Sequence, residues 1–163
     1  MSVSEKARHS RAAMGWLSVY SDGAARGNPG PAGIGGQAKD ESGKLLLEVS
    51  EFLSEATCNV AEYYALIAIL EAGKGLGYDR VRVYTDSELL ANQVTGIYKV
   101  KSKTLRPLHH RVKALLEGFQ AVEVEHIPRE KNTACDALAN RAIDEGLSGV
   151  GKAVLEPGDE GLF

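Results

Sequence analysis

The chain has 163 residues, of which 44% are hydrophobic and 25% are charged, so it is long enough for one domain with a substantial core. No apolar run approaches the roughly 18–20 residues that a membrane-spanning helix needs, and the first residues lack the apolar core of a secretory signal. The formal net charge of −3 disfavours a protein that coats nucleic acid non-specifically. These properties predict a cytoplasmic globular protein with no membrane contact.

The composition divides the chain into three parts. Residues 1–14 are polar and are predicted to form a disordered N-terminal extension. Residues 147–163 are rich in glycine and acids and are predicted to be a C-terminal tail. The folded domain is therefore expected to occupy residues 15–146.

The domain is predicted to open with a three-stranded antiparallel meander. Residues 16–21 have the pattern of a strand, and a glycine-rich turn is expected over residues 22–30. Residues 33–38 and 44–53 are predicted to be the next two strands, because the turn chemistry of residues 40–43 between them is typical of a hairpin.

Helices and strands are predicted to alternate after this meander. The expected elements are a helix over 59–74 capped by Asn59, a strand over 80–84, helices over 86–96 and 104–119, a strand over 121–127, and a helix over 132–145 capped by Asn132. Right-handed crossovers would place the two later strands in the same sheet as the meander. The predicted fold class is α/β, with a five-stranded mixed sheet of three antiparallel and then two parallel strands, flanked by about four helices.

Four short segments each bring one carboxylate to the edge of a predicted element. Asp22 follows the first strand, and Asp86 follows the fourth. If these strands are parallel neighbours, both side chains lie at one edge of the sheet, where ligands commonly bind. Glu62 and Asp136 are expected in the first turns of two helices, where the helix dipole alone would also favour an acid.

A shared cation site would explain why these four acids are attached to apolar segments. Without metal, their mutual repulsion would raise at least one pKa. Carboxylates rather than histidine or cysteine as ligands indicate Mg²⁺ or Mn²⁺ rather than zinc. Two such ions about 3.5–4 Å apart can activate water and stabilise the leaving oxygen in phosphodiester hydrolysis.

A local basic segment and two cysteines complete the candidate features. No acid lies between Glu88 and Glu117, so this stretch could contact phosphates, or could form a solvated helix face and loop. Its basic residues are Lys99, Lys101, Lys103, Arg106, His109, His110, Arg111 and Lys113. Cys58 and Cys135 are either two reduced thiols or one disulfide. The disulfide is an alternative because each cysteine lies near a candidate site acid in the sequence, so the two could be close in space.

The motifs around the four acids resemble those of type 1 ribonuclease H. The matching segments are YSDGAARGNPG at 20–30, TCNVAE at 57–62, YTDS at 84–87 and NTACDALA at 132–139. They occur in the family's order, and the resemblance covers residues 16–146. It implies a ribonuclease H-like fold.

The resemblance implies an endonuclease that cuts the RNA strand of RNA–DNA hybrids and leaves 5′-phosphate and 3′-hydroxyl ends. We expect it to act as a monomer. The implied catalytic metal ligands are Asp22, Glu62, Asp86 and Asp136. The implied substrate contacts come from Gly23, Ala24, Ala25, Asn28, Thr57 and Asn59. Thr57 would lie at a phosphate of the DNA strand, with a strand-end hydroxyl that binds no ligand as the alternative. Small residues in the 23–30 loop would let its backbone approach the ribose 2′-OH, the group that distinguishes RNA from DNA.

The chain also departs from the family pattern in three places. Many bacterial members carry a long basic insertion, called the handle, where only residues 98–103 stand here. Lys99, Lys101 and Lys103 are expected to make a smaller contribution of the same kind to hybrid binding. In the short loop before Asp136, His126 is predicted to lie packed on a strand. Arg129 is predicted to support catalysis at a phosphate, with a surface ion pair as the alternative. Glu88 stands where a substrate-contacting glutamine is common.

Three other functions are compatible with parts of this pattern. The same site could cut duplex RNA or DNA, although the loop containing Ala24, Ala25 and Asn28 favours RNA in at least one strand. A non-catalytic hybrid-binding module would have no need of four acids. A carboxylate-pair glycosidase would act without metal and would leave the Gly-Asn-Pro-Gly loop unexplained.

Overall fold

The computed structural model describes residues 15–149, so the predicted N-terminal extension and residues 150–163 of the predicted tail lie outside the described residues. The described part of the chain contains five strands and four α-helices. They are β1 (Leu17–Ala25), β2 (Gly30–Lys39), β3 (Leu45–Ala56), α1 (Cys58–Lys74), β4 (Arg80–Thr85), α2 (Glu88–Val94), α3 (Leu105–Glu117), β5 (Ala121–His126) and α4 (Thr133–Ser148). A 3₁₀ turn at Arg129–Lys131 precedes α4.

The five strands form one mixed sheet in the order β3-β2-β1-β4-β5. β1, β2 and β3 pair antiparallel, whereas β4 and β5 run parallel to β1. The predicted fold class is therefore confirmed. The parallel pairing of β4 with β5 requires a crossover connection, which α2 and α3 provide.

The first strand is longer than the sequence pattern predicts. β1 continues through Ala25, which pairs with Ala32 of β2, so the predicted turn over residues 22–30 is wrong in its first half. The parallel pairing of β1 with β4 ends earlier, at Ser21 and Thr85. Asp22 therefore lies within a strand, paired with β2 on one side and just beyond the end of β4 on the other.

The main core lies between the sheet and α1, and α3 packs on the outside of α1. One stripe of α1 at helical spacing, formed by Tyr63, Leu66, Ile67 and Leu70, is buried. Because α1 is covered by the sheet on one side and by α3 on the other, apolar residues occupy most of its circumference. None of the helices in the described part is long and apolar enough to cross a membrane.

Helix α4 packs on the opposite face of the sheet, and two glycines of β2 allow its close approach. A Cβ on Gly35 would lie 2.7 Å from the Cβ of Leu138, and one on Gly33 would lie 2.9 Å from Cγ1 of Ile143. Ser50 of β3 also donates a hydrogen bond of 2.9 Å from Oγ to the backbone carbonyl of Leu138. This packing fixes the position of α4 along the strands, so that the first turn of α4 lies beside Asp22.

Candidate active site

Asp22, Glu62 and Asp86 converge where β1 runs past the end of β4. Each offers one carboxylate oxygen, and these three oxygens lie within 4.8 Å of one another. The side chains come from a strand, a helix and the loop after β4, so three separate elements build the site. Asp22 is only 5% exposed, and the other two are half-buried. Carboxylate oxygens are the ligand type that suits hard cations such as Mg²⁺ or Mn²⁺.

Asp136, the fourth predicted acid, lies beside this group but outside the set of three. It occupies the first turn of α4, as predicted. Its side chain is close enough to Asp22 to hydrogen-bond with it, and its charge acts on that carboxyl. The structure thus brings all four acids to one site, with Asp136 reaching it from the opposite face of the sheet to α1.

The charges of the site oppose one another in the metal-free protein. Burial, together with the negative charges of Asp86 and Asp136, raises the pKa of Asp22 to about 7. Burial raises the pKa of Glu62 well above its ordinary value, and the charges of Asp22 and Asp86 act in the same direction. A bound divalent cation would offset the repulsion between these negative charges. The oxygen ligands and the charge of the site therefore both fit the metals predicted from the sequence.

The carboxylate of Glu62 is oriented by a close contact between β1 and α1. The backbone N–H of Gly23 donates to Glu62 Oε1 at 3.2 Å. A Cβ on Gly23 would lie 2.6 Å from the carbonyl oxygen of Ala61, so only glycine permits this approach. Thr57, not the predicted Asn59, caps α1, and its Oγ1 accepts from the N–H of Val60 at 3.2 Å. Because α1 begins at Cys58, Glu62 lies in its second turn rather than its first.

We expect Gly23→Ala to destabilise the protein by about 1–3 kcal/mol, the usual cost of forcing an extra carbon into a packed site. The free energy of unfolding from urea titration measures this effect. Gly75→Ala is the matched control, because Gly75 has a φ of −68° and an added Cβ would have no packing neighbour within 4 Å outside the local backbone. The control should leave stability unchanged or raise it by less than about 1 kcal/mol. Equal effects of the two substitutions would contradict this account of Gly23.

Asn132 is a site residue that the sequence interpretation missed, since it was expected only to cap a helix. It stands at the cap position of α4, but its side chain makes no capping bond. Instead its Nδ2 donates to the carbonyl of Ser21 at 2.9 Å and to Oδ2 of Asp86 at 3.3 Å. Asn132 is 3% exposed, and it joins β1 to the carboxylate that follows β4. Only its position inside the NTACDALA motif could have indicated this role.

The residues predicted to contact substrate lie around the start of α1. Asn28 Oδ1 accepts a hydrogen bond of 2.9 Å from the backbone N–H of Cys58, which ties the loop after β1 to the first residue of the helix. Asn59 is exposed in the same turn, next to the capping Thr57. Ala24 and Ala25 end β1 and are half-buried. Their contacts with substrate remain predictions.

His126 and Arg129 lie on the other side of the site. His126 ends β5, as predicted, but it is exposed rather than packed, with Nε2 3.2 Å from the backbone carbonyl of Asp86. Arg129 is exposed in the 3₁₀ turn, and within residues 15–149 no acid forms an ion pair with it. The surface ion pair considered for Arg129 is therefore absent from the described part, and its role at a phosphate remains a prediction.

Part of the basic segment has a structural role. His109 Nε2 lies 3.0 Å from the carbonyl of Gln93, and Lys113 Nζ donates to the carbonyl of Val94 at 3.3 Å. These side chains of α3 satisfy carbonyls at the end of α2, a common use of basic residues at a helix C-terminus. Arg106 donates to the carbonyl of Val100 and Arg111 pairs with Glu71. Within this segment, all of which the structure describes, the exposed basic side chains without such contacts are Lys99, Lys101, Lys103 and His110.

The two cysteines are both free thiols, so the disulfide alternative is wrong. Cys58 is exposed at the start of α1, and Cys135 is buried in the first turn of α4. Burial raises the pKa of Cys135 to about 12, with the nearby charge of Asp22 acting in the same direction. Cys135 is therefore a neutral packing residue at ordinary pH.

Comparison with known proteins gives consistent results for sequence and structure. The family described as reverse transcriptase-like matches residues 20–142. Ribonuclease HI of Halobacterium salinarum is 41% identical over 80% of this chain, and its crystal structure has a TM-score of 0.78 over 99% of that structure's chain. LC11-RNase H1, solved in complex with an RNA/DNA hybrid, is 45% identical over 80% of this chain and 99% of its own, with a TM-score of 0.76.

Some relatives are considerably longer than this chain. A bifunctional protein of Mycobacterium tuberculosis is 40% identical over 77% of this chain, but the match covers 35% of that protein. The match to the curated Halobacterium protein covers 66% of its length.

Proposed function

Because this chain belongs to the type 1 ribonuclease H family, we propose that it is an endonuclease that hydrolyses the RNA strand of RNA–DNA hybrids. The products would carry 5′-phosphate and 3′-hydroxyl ends. The observation that carries the proposal is the convergence of Asp22, Glu62 and Asp86, with ligand oxygens within 4.8 Å of one another. The hybrid bound in the structure of the similar LC11-RNase H1 supports the choice of substrate.

The catalytic metal would be held by four carboxylates, those of Asp22, Glu62, Asp86 and Asp136. With substrate present, the site would hold two Mg²⁺ ions or two Mn²⁺ ions. When bound, these cations supply Lewis-acid chemistry for in-line hydrolysis of a phosphodiester. The protein holds the ligands ready for this role. The Gly23 N–H orients Glu62, Asn132 orients Asp86, and the β1 backbone fixes buried Asp22. Since all four acids come from one chain, a monomer would suffice for activity.

The start of α1 would seat the phosphate backbone of the DNA strand. A helix N-terminus attracts anions through its free N–H groups and its dipole. Thr57, Asn59 and Asn28 surround this N-terminus, and the Asn28 contact with Cys58 holds the loop against it. The small residues Ala24 and Ala25 would let the backbone of the same loop reach the ribose 2′-OH of the RNA strand.

The exposed lysines after α2 would extend the contact with the hybrid. Lys99, Lys101 and Lys103 lie on the connection between α2 and α3, where bonds from α3 to α2 hold the two helices together. Backbone contacts of this kind provide affinity that weakens with salt but little sequence preference. Arg129 would contact a phosphate nearer the carboxylates, in support of catalysis.

Cleavage of matched duplexes tests the proposed substrate. We expect the RNA strand of an RNA–DNA hybrid to be cut in Mg²⁺, while a DNA–DNA duplex of the same sequence stays intact. The 5′ ends of the RNA fragments should be joined by a ligase without prior phosphorylation. Equal cleavage of an RNA–RNA duplex would show that duplex RNA is also a substrate. Binding of the hybrid without any cleavage would favour the non-catalytic module instead.

A further inference from the structure

We infer that Asn140 positions the carboxylate of Asp136 and that Arg26 holds Asn140 in place, an inference that rests on the proposed function. Asp136 lies outside the group of three, and among the described contacts neither Asn132 nor Gly23 donates to its carboxylate. Apart from the neighbouring Asp22 carboxyl, the contacts left to orient it are those within and around α4.

Asn140 lies one turn after Asp136 on α4 and faces its carboxylate. Its Nδ2 donates to Oδ1 of Asp136 at 3.3 Å and to the backbone carbonyl of the same residue at 3.0 Å. The amide thus engages one carboxylate oxygen and leaves the other for a cation. Hydrogen bonds to the ligands of a metal commonly fix their orientation in this way.

The guanidinium of Arg26 fixes which way the Asn140 amide points. Arg26 Nη2 donates to Oδ1 of Asn140 at 3.3 Å, while its Nη1 pairs with Oδ1 of Asp144 at 2.8 Å. A guanidinium can only donate and an ionised carboxylate can only accept. Only one orientation of the Asn140 amide satisfies both neighbours, with its oxygen toward Arg26 and its nitrogen toward Asp136.

These contacts connect the substrate loop to the fourth acid. Arg26 directly follows β1, and its backbone N–H donates to the carbonyl of Pro31 at 2.8 Å, which closes the loop that carries Asn28. The exposed Arg26–Asp144 ion pair contributes little stability by itself. Its consequence is geometric, because it aligns the guanidinium with α4. Arg26 and Asn140 are positioning residues in this scheme, and neither needs to touch the substrate.

Binding of Mn²⁺ to the full chain without nucleic acid tests the role of Asn140. Isothermal titration calorimetry should show that Asn140→Leu weakens Mn²⁺ binding by about tenfold or more, the usual effect of removing a hydrogen bond to a metal ligand. Asn140→Ala should give the same loss and guards against a packing effect of leucine. Arg141→Leu is the matched control, because Arg141 is the next residue on α4 and its only ion pair among residues 15–149, with Glu145, is exposed.

A double variant separates the role of Arg26 from a direct contact. Arg26→Met should weaken Mn²⁺ binding less than Asn140→Leu does. If Arg26 acts through Asn140, the double variant should bind Mn²⁺ as weakly as Asn140→Leu alone. Fully additive losses would overturn the assigned role of Arg26.

The outcomes distinguish this inference from the proposed function. If the wild-type protein neither binds Mn²⁺ nor cleaves the hybrid, the proposed function fails. If the wild type does both, and Asn140→Leu and Asn140→Ala bind Mn²⁺ as tightly as Arg141→Leu, the inference about Asn140 is overturned while the proposed function stands.

Discussion

Asp86→Asn is expected to abolish cleavage of the hybrid while the protein remains folded. The substitution keeps the shape of the side chain but removes one negative ligand from the group formed with Asp22 and Glu62. A bound divalent metal contributes several kcal/mol to transition-state stabilisation, and each 1.36 kcal/mol is a factor of ten in rate. We therefore expect the single-turnover rate constant in Mg²⁺ to fall by at least about 10³-fold.

Folding should survive this substitution, because the negative charge of Asp86 opposes that of Asp22 in the absence of metal. Glu123→Gln is the matched control, since it also removes one negative charge but lies on exposed β5 in a pair with Arg82. The control should cleave the hybrid at the wild-type rate. If folded Asp86→Asn also cleaves at that rate in Mg²⁺, the catalytic interpretation of the acids is wrong.

The second large effect is a loss of stability with rising pH when no metal is bound. Asp22 has a pKa of about 7 in the folded protein, against an ordinary value of 3.8. Between these values the folded state holds a proton that the unfolded chain has released. The stabilisation is therefore fully present below about pH 4 and is lost as pH rises through 7. At 1.36 kcal/mol per pH unit, the loss between pH 5 and pH 8 is about 2–3 kcal/mol.

Urea unfolding of wild type and Asp22→Asn in EDTA, at pH 5 and at pH 8, isolates this effect. We expect the variant to gain about 2–3 kcal/mol relative to wild type between the two pH values, because it lacks the titrating carboxyl. Adding Mg²⁺ at pH 8 should stabilise the wild type by about 2.7 kcal/mol when the free Mg²⁺ concentration is 100 times the dissociation constant. The same addition should stabilise the variant much less. If the free energies of unfolding of the two proteins depend on pH identically, the raised pKa of Asp22 in the metal-free site is contradicted.

The composition of the sheet and the proximity of Asp22 to Asp86 could be predicted, because both follow from the order and direction of the strands. The parallel pairing of β1 with β4 ends at Ser21 and Thr85, so the acids that directly follow these two residues become neighbours. The bounds were harder to predict. β1 runs to Ala25 because β2 supplies a partner beyond the end of β4, and this depends on pairing across the sheet rather than on local sequence.

The contacts that orient the acids could not be predicted from the sequence. The bond from Asn132 to Ser21 joins residues 111 positions apart, and Arg26 and Asn140 are 114 positions apart. Such pairs exist only after α4 packs on β2, and the sequence pattern of each residue alone indicates a cap or a solvated surface. For the same reason, the sequence alone does not distinguish the basic residues that contact carbonyls at the end of α2 from those that stay exposed.

Digestion of a hybrid with a different label on each strand, in Mg²⁺ and in excess EDTA, tests the central claim most directly. We expect labelled RNA fragments only in Mg²⁺ and an intact DNA strand in both conditions. RNA cleavage that persists in EDTA, or a folded protein that leaves the RNA strand whole in Mg²⁺, would contradict catalysis by metal held on Asp22, Glu62, Asp86 and Asp136.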